Sequence, residues 1–166
     1  MNNNSTYEKP AEPSPSNAST RPVIARPQRI LFVDDEPAAC ALAKRVFLTP
    51  RFELTTTQSG FECLEHFRAR PHWFNLIVLD LAMPFMDGEE TFRRLRAIRP
   101  NVPVLLSTGF FGQAQGRVER MLAAGLAGFI RKPHRPDELL EQVHATLERV
   151  KMSRVGCAPA AVAPSI

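Results

Sequence analysis

Four short apolar runs in this 166-residue chain each end on a polar residue. Ile30-Leu31-Phe32-Val33 ends on Asp34-Asp35, and Leu76-Ile77-Val78-Leu79 ends on Asp80. The run 102–106 ends on Ser107-Thr108-Gly109, and Phe129-Ile130-Arg131 ends on Lys132-Pro133. Runs this apolar expect burial on both faces, which is the condition of strands in a parallel sheet. Open parallel sheets bind ligands beyond the carboxyl ends of their strands. Three acids, a hydroxyl and an ammonium would therefore collect at one edge.

Between the runs the periodicity changes to that of helices. The pattern predicts strands over 29–33, 52–57, 76–80, 102–107 and 128–131, and helices over 37–48, 60–69, 89–98, 113–124 and from Pro136 onward. Pro37 suits a first helical turn, and Asp87-Gly88 supplies a turn before the third helix. The inward residues read from the pattern are Phe61, Leu64 and Phe67 in the second helix. Those of the third are Phe92, Leu95 and Ile98; those of the fourth are Val118, Met121 and Leu122; those of the fifth are Leu140, Val143, Leu147 and Val150. Gly116 inside the fourth helix marks it as the least stable, since an interior glycine costs roughly 0.5–1 kcal/mol against alanine. Strict strand–helix alternation indicates an α/β fold, a doubly wound parallel sheet. The alternating, Thr-rich run 52–57 reads as an edge strand, which favours the flavodoxin-like order 2-1-3-4-5. In that order the first and third strands are neighbours, so Asp34, Asp35 and Asp80 converge.

Composition bounds the rest. Residues 1–28 are rich in Asn, Ser, Thr, Ala and Pro, and 153–166 carry no charge after Arg154, so both are expected to be disordered flanks of one domain over 29–152. No apolar stretch approaches a membrane span, and three unclustered cysteines, Cys40, Cys63 and Cys157, indicate neither a disulfide framework nor a zinc site. A cytoplasmic location is expected. The net charge of +4 is modest, and Arg93, Arg94, Arg96 and Arg99 form a cluster without interleaved aromatics, which reads as a solvated helix face rather than a nucleic-acid platform.

Three carboxylates held together repel and raise one another's pKa values. A hard divalent cation relieves the repulsion, and Mg²⁺ takes one or two carboxylates together with phosphate oxygens. Asp80 is placed to act as a nucleophile toward a phosphoryl group, giving an aspartyl phosphate. Lys132 adds a point charge and Thr108 a hydrogen-bond donor for the phosphoryl oxygens. Singly, each residue has a plainer explanation: Asp35 as a helix N-cap, Asp80 as a turn residue, Thr108 as a cap, Lys132 as a solvated amine. All four at one sheet edge are hard to assign to turn chemistry.

From Arg29 to about Val150 the chain resembles the receiver domain of bacterial two-component response regulators. The resemblance rests on Val33-Asp34-Asp35-Glu36, on Leu79-Asp80-Leu81-Ala82-Met83-Pro84 with Met86-Asp87-Gly88, on Ser107-Thr108-Gly109, and on Phe129-Ile130-Arg131-Lys132-Pro133. It implies that Asp80 accepts phosphate from a histidine kinase or a histidine phosphotransfer protein. It further implies that Mg²⁺ is ligated by Asp35, Asp80 and the Ala82 carbonyl, with Asp34 acting through water. By the same resemblance Thr108 and Phe129 form a switch pair, the Lys132–Pro133 bond is cis, and the fourth helix, fifth strand and fifth helix present an output face to a downstream protein. Gly109 departs from the family's usual alanine and, with the small Ala82, implies easy phosphotransfer in and out.

The expected function is that of a stand-alone phosphoacceptor with no effector domain, no nucleic-acid or membrane partner, and no enzymatic activity beyond self-phosphotransfer and autodephosphorylation. Alternatives are a detached receiver of a hybrid histidine kinase and a receiver-shaped binding module that is never phosphorylated. An aspartyl-phosphate phosphatase of the haloacid dehalogenase type is set aside, because the second acid it needs two residues after the nucleophile is here Ala82.

Overall fold

A computed structural model describes residues 26–109 and 111–155. Strands and helices alternate as β1 (Gln28–Val33), α1 (Pro37–Val46), β2 (Phe52–Thr57), α2 (Gly60–Ala69), β3 (Leu76–Asp80), α3 (Gly88–Ile98), β4 (Val104–Thr108), α4 (Phe111–Ala123), β5 (Gly128–Arg131) and α5 (Pro136–Val155). The five strands form one parallel sheet in the order β2-β1-β3-β4-β5, the flavodoxin-like arrangement. Of the expected flanks, 1–25 and 156–166 lie outside the described residues. Within them, α5 continues to Val155, three residues past the expected domain end.

Alternation along each strand divides the core in two. Ile30, Phe32, Leu76, Val78, Leu105 and Ile130 point to one face, where Cys40, Ala43 and Phe47 and the Leu139, Val143 and Leu147 stripe of α5 cover them. Leu31, Val33, Ile77, Leu79, Val104 and Leu106 point to the other, under α2, α3 and α4. Both sides of the central strands are thereby removed from water, which is why their sequences are continuously apolar.

Several expected positions move, each for a local reason. β4 begins at Val104 rather than 102 because Pro103 has no N–H for the ladder; its carbonyl still accepts from the Ile77 N–H at 3.0 Å. β4 also extends to Thr108. α1 ends at Val46, and Leu48 beyond it is exposed. Phe61 is exposed rather than inward: the buried face of α2 is Gly60, Cys63, Leu64 and Phe67, the i, i+3, i+4, i+7 set, and Phe61 falls beside it. For the same reason the buried stripe of α5 starts at Leu139, with Leu140 and Val150 at its margin. α4 is anchored by Ala114, Val118 and Met121, while Leu122 faces solvent.

Two devices fix the approach of α3 to the end of β3. Asp87 caps α3, its Oδ1 accepting from the Glu90 N–H at 2.9 Å. Gly88 lies directly against the β3 backbone: its N–H donates to the Leu81 carbonyl at 2.9 Å, and a Cβ there would collide with the Asp80 carbonyl oxygen and Leu81 Cα. Gly88→Ala is expected to cost about 1–3 kcal/mol by overpacking against backbone, read as a lower midpoint in urea denaturation. An unchanged midpoint would show that α3 can shift freely from β3.

Candidate functional site

The edge formed by the carboxyl ends of β1, β3, β4 and β5 brings together the residues singled out by the sequence. Asp34 and Asp35 follow β1, and Asp80 ends its neighbour β3, with Val33 level with Leu79. One carboxylate oxygen from each of Asp34, Asp35 and Asp80 lies within 4.8 Å of the other two. Asp34 is fully buried and Asp80 nearly so, while Asp35 is half-buried. Asp34 Oδ1 accepts from the Glu36 N–H at 3.1 Å, which orients its other oxygen toward the cluster.

Lys132 completes the arrangement from β5. Its Nζ stands 2.7 Å from Asp34 Oδ2 and 2.9 Å from Asp80 Oδ1. The backbone secures it, since the Lys132 N–H donates to the Thr108 carbonyl at 2.8 Å, and Lys132–Pro133 is cis as expected. Thr108 itself is buried at the end of β4, level with Arg131. Phe129 is half-buried and packs on the core beneath α2, α3 and α4. Ala82 is exposed in the loop after Asp80, a loop tied back by the Leu81 N–H donating to the Ser107 carbonyl at 2.9 Å.

Electrostatics at this edge oppose one another. Burial pushes the Asp80 carboxyl above its ordinary value; the Lys132 hydrogen bond and charge pull it back, and Asp34 and Asp35 push it up again. Lys132 loses solvation too, yet its bonds to Asp34 and Asp80 hold the ammonium above its usual range. One ammonium faces three carboxylates, and Asp35 has no ion-pair partner among the described residues. The surplus negative charge and an all-oxygen donor set fit a hard divalent cation.

Sequence reasoning passed over three neighbours. His134, right after Lys132-Pro133, is half-buried with Nε2 3.4 Å from Ser107 Oγ, and burial followed by the Lys132 charge lowers its pKa. Its place next to the motif was the available signal. Phe85 is fully exposed in the loop after Asp80 at φ 64°, a strained setting for a bulky residue. Arg117 of α4 reaches the α3 start, 2.5 Å from Asp87 Oδ2 and 2.7 Å from Glu89 Oε2. No local pattern announced that tie, because Arg117 lies 28 residues from Glu89 and 30 from Asp87 in the chain.

A profile of the family described as Response regulator receiver domain matches residues 30–144, well over half of the chain. The chain belongs to the response regulator receiver family. This receiver is 30% identical over 123 residues to the cell cycle response regulator CtrA of Brucella ovis, covering 74% of this chain and 51% of that one. It thus spans about half the length of the curated relatives it matches. A CheY-like receiver domain protein from Methanospirillum hungatei superposes with a TM-score of 0.68 at 27% identity, over 76% of this chain and 98% of that one. The structure of a CheX-CheY-BeF3-Mg+2 complex from Borrelia burgdorferi matches with a TM-score of 0.66 at 25% identity, over 72% and 88%. Among the described residues no helix is long and apolar enough to cross a membrane.

Because the Asp80 pKa is raised on folding, its ionisation weakens the fold as pH rises from the ordinary carboxyl value of 3.8 through the raised folded value. In metal-free buffer Asp80→Asn should therefore melt at a higher temperature than the parent at neutral pH, with the difference shrinking as pH falls through that window. Equal melting at all pH values would mean that Lys132 fully compensates the buried charge.

Proposed function

We propose that this receiver is a phosphoacceptor in which Asp80 takes a phosphoryl group from a histidine kinase or histidine phosphotransfer protein. The observation that carries the proposal is the convergence of Asp34, Asp35 and Asp80 within 4.8 Å, with the Lys132 ammonium bridging two of them. Asp35 and Asp80, with the Ala82 carbonyl, would hold Mg²⁺ directly, and Asp34 through water. The ion supplies charge neutralisation for the transferring group. The Borrelia complex of CheX and CheY with BeF3 and Mg+2 supports this use of the fold.

The chain's own residues do the remainder. An Asp80 carboxylate oxygen attacks phosphorus in line and the donor group leaves. Lys132, already 2.9 Å from Asp80 Oδ1, is positioned to pair with a phosphoryl oxygen. Thr108 donates its hydroxyl to another oxygen. Gly109 leaves the approach open, since a Cβ there would meet only Lys132 Cβ, at 3.9 Å. Movement of Thr108 toward the phosphate frees space that Phe129 enters, and the change reaches α4, β5 and α5, where a downstream protein reads it. α4 suits a mobile element: it carries Gly112 and Gly116 and few large buried side chains. Beyond this self-phosphotransfer and autodephosphorylation no catalytic activity is proposed.

Asp80→Asn should abolish labelling by acetyl phosphate with Mg²⁺ while circular dichroism stays that of the parent, and chelation of the metal by EDTA should abolish labelling of the parent. Labelling of the Asn variant would place the phosphoryl group elsewhere. Thr108→Ala should still label, yet bind its downstream protein no better after labelling than before; a gain equal to the parent's would remove the hydroxyl from the switch.

A further inference from the structure

The arginine cluster of α3 is not a uniform solvated face. Arg93 and Arg94 both hydrogen-bond Glu90, at 2.7 and 2.6 Å, and these bonds hold the Glu90 carboxyl down at about 2. Arg99 folds back onto the Pro71 carbonyl at 2.6 Å and the Phe74 carbonyl at 3.3 Å. Arg96 points elsewhere. Its guanidinium lies against the loop between α4 and β5, and it has no carboxylate partner among the described residues. Gly125 in that loop takes φ +93°, and a Cβ there would stand 2.9 Å from Arg96 Nη2.

A second guanidinium approaches the same loop from α5. Arg149 Nη2 donates to the fully buried Thr146 Oγ1 at 3.1 Å and lies 3.3 Å from where a Cβ on Gly128 would sit. Arg149 also has no carboxylate partner among the described residues. Gly125 in that loop and Gly128 at the start of β5 thus leave room for two arginine head groups against the backbone. Between them opens a cleft of about 670 Å³. Asn101 and Ser153 add polar groups, Pro103 and Val150 apolar ones, and none of the lining residues is Asp or Glu. The cleft lies at the amino ends of β4 and β5, the opposite end of the sheet from Asp80.

Two positive charges with no carboxylate partner among the described residues, in a concavity with apolar walls, focus an attractive field on an anion. The planar fork of arginine matches phosphate oxygens bidentately, and the volume falls within the roughly 300–1,000 Å³ typical of small-molecule sites. We propose that this cleft binds a small organic phosphate, its phosphate held between Arg96 and Arg149 and its organic part against Pro103 and Val150. Such a ligand would tie α3 to α5, giving the receiver a second input independent of Asp80.

The test is a titration of the full chain with 5′-AMP, pyrophosphate and adenosine, followed by backbone amide shifts and thermal unfolding. AMP should shift the amides of Asn101 and the 125–128 loop saturably and raise the melting temperature, with adenosine much weaker. The Arg96→Gln/Arg149→Gln double variant should weaken AMP binding by about tenfold or more, the scale of lost charge-assisted bonds. Arg149→Lys, which keeps the charge without the fork, should fall between and decides the matter if the double variant fails to fold. Asp80→Asn should bind as the parent does. The proposal is overturned if AMP and pyrophosphate give no saturable shift at millimolar concentration, if the folded arginine variants bind undiminished, or if binding disappears in Asp80→Asn.

Discussion

Lys132 reaches over the mouth of the sheet and pairs with two carboxylates at once, 2.7 Å from Asp34 and 2.9 Å from Asp80. Without that ammonium, three acids within 4.8 Å would stand in a partly buried site with no ion-pair partner among the described residues. Removing the ammonium would leave buried acid charge uncompensated, which is strongly destabilising. The rest of the edge is arranged around this contact. The Thr108 carbonyl fixes the Lys132 backbone, Ser107 fixes the start of the Asp80 loop, and Gly88 admits α3 close behind it. The amine compensates only part of the acid charge, and the remainder is the surplus that a divalent cation would offset.

The sheet supplies the precision this contact needs. β3 is paired on both sides, by β1 and by β4, so Asp80 sits at a strand end that cannot shift without breaking two ladders. Its apolar neighbours are buried on two faces, and a one-residue slip would exchange the two halves of the core. Rigid strand ends and looser connections divide the labour. The strands hold the acids, while α4 is tied to the start of α3 by the ion pairs of Arg117 with Asp87 and Glu89.

Much of this was legible along the chain. The bounds of β2, α2, β3 and β5 follow from local pattern alone, because each is closed by a clear breaker or by a change of period. The acidic triad, Thr108 and Lys132 were legible for a related reason: each directly follows an apolar run, so the strand assignment carries the residue to the edge. Phe61 and Leu140 misled because a helix with several apolar residues leaves the choice of face to whatever packs on it. Leu64 and Phe67 fit either a stripe through Phe61 or one through Gly60 and Cys63, and only the closeness of α3 selects the second.

What the sequence alone determined was the order of elements, the burial of the strands and the identity of the groups at their carboxyl ends, since these depend on neighbours a few residues apart. Tertiary structure decided which groups touch. The Lys132 bridge, the Arg117 tie between α4 and α3, the approach of His134 to Ser107 and the meeting of Arg96 with Arg149 at one cleft all join residues distant in the chain. Charge and length give every one of those side chains several reachable partners. Only the packed sheet and helices, by fixing where each backbone stands, leave a single choice.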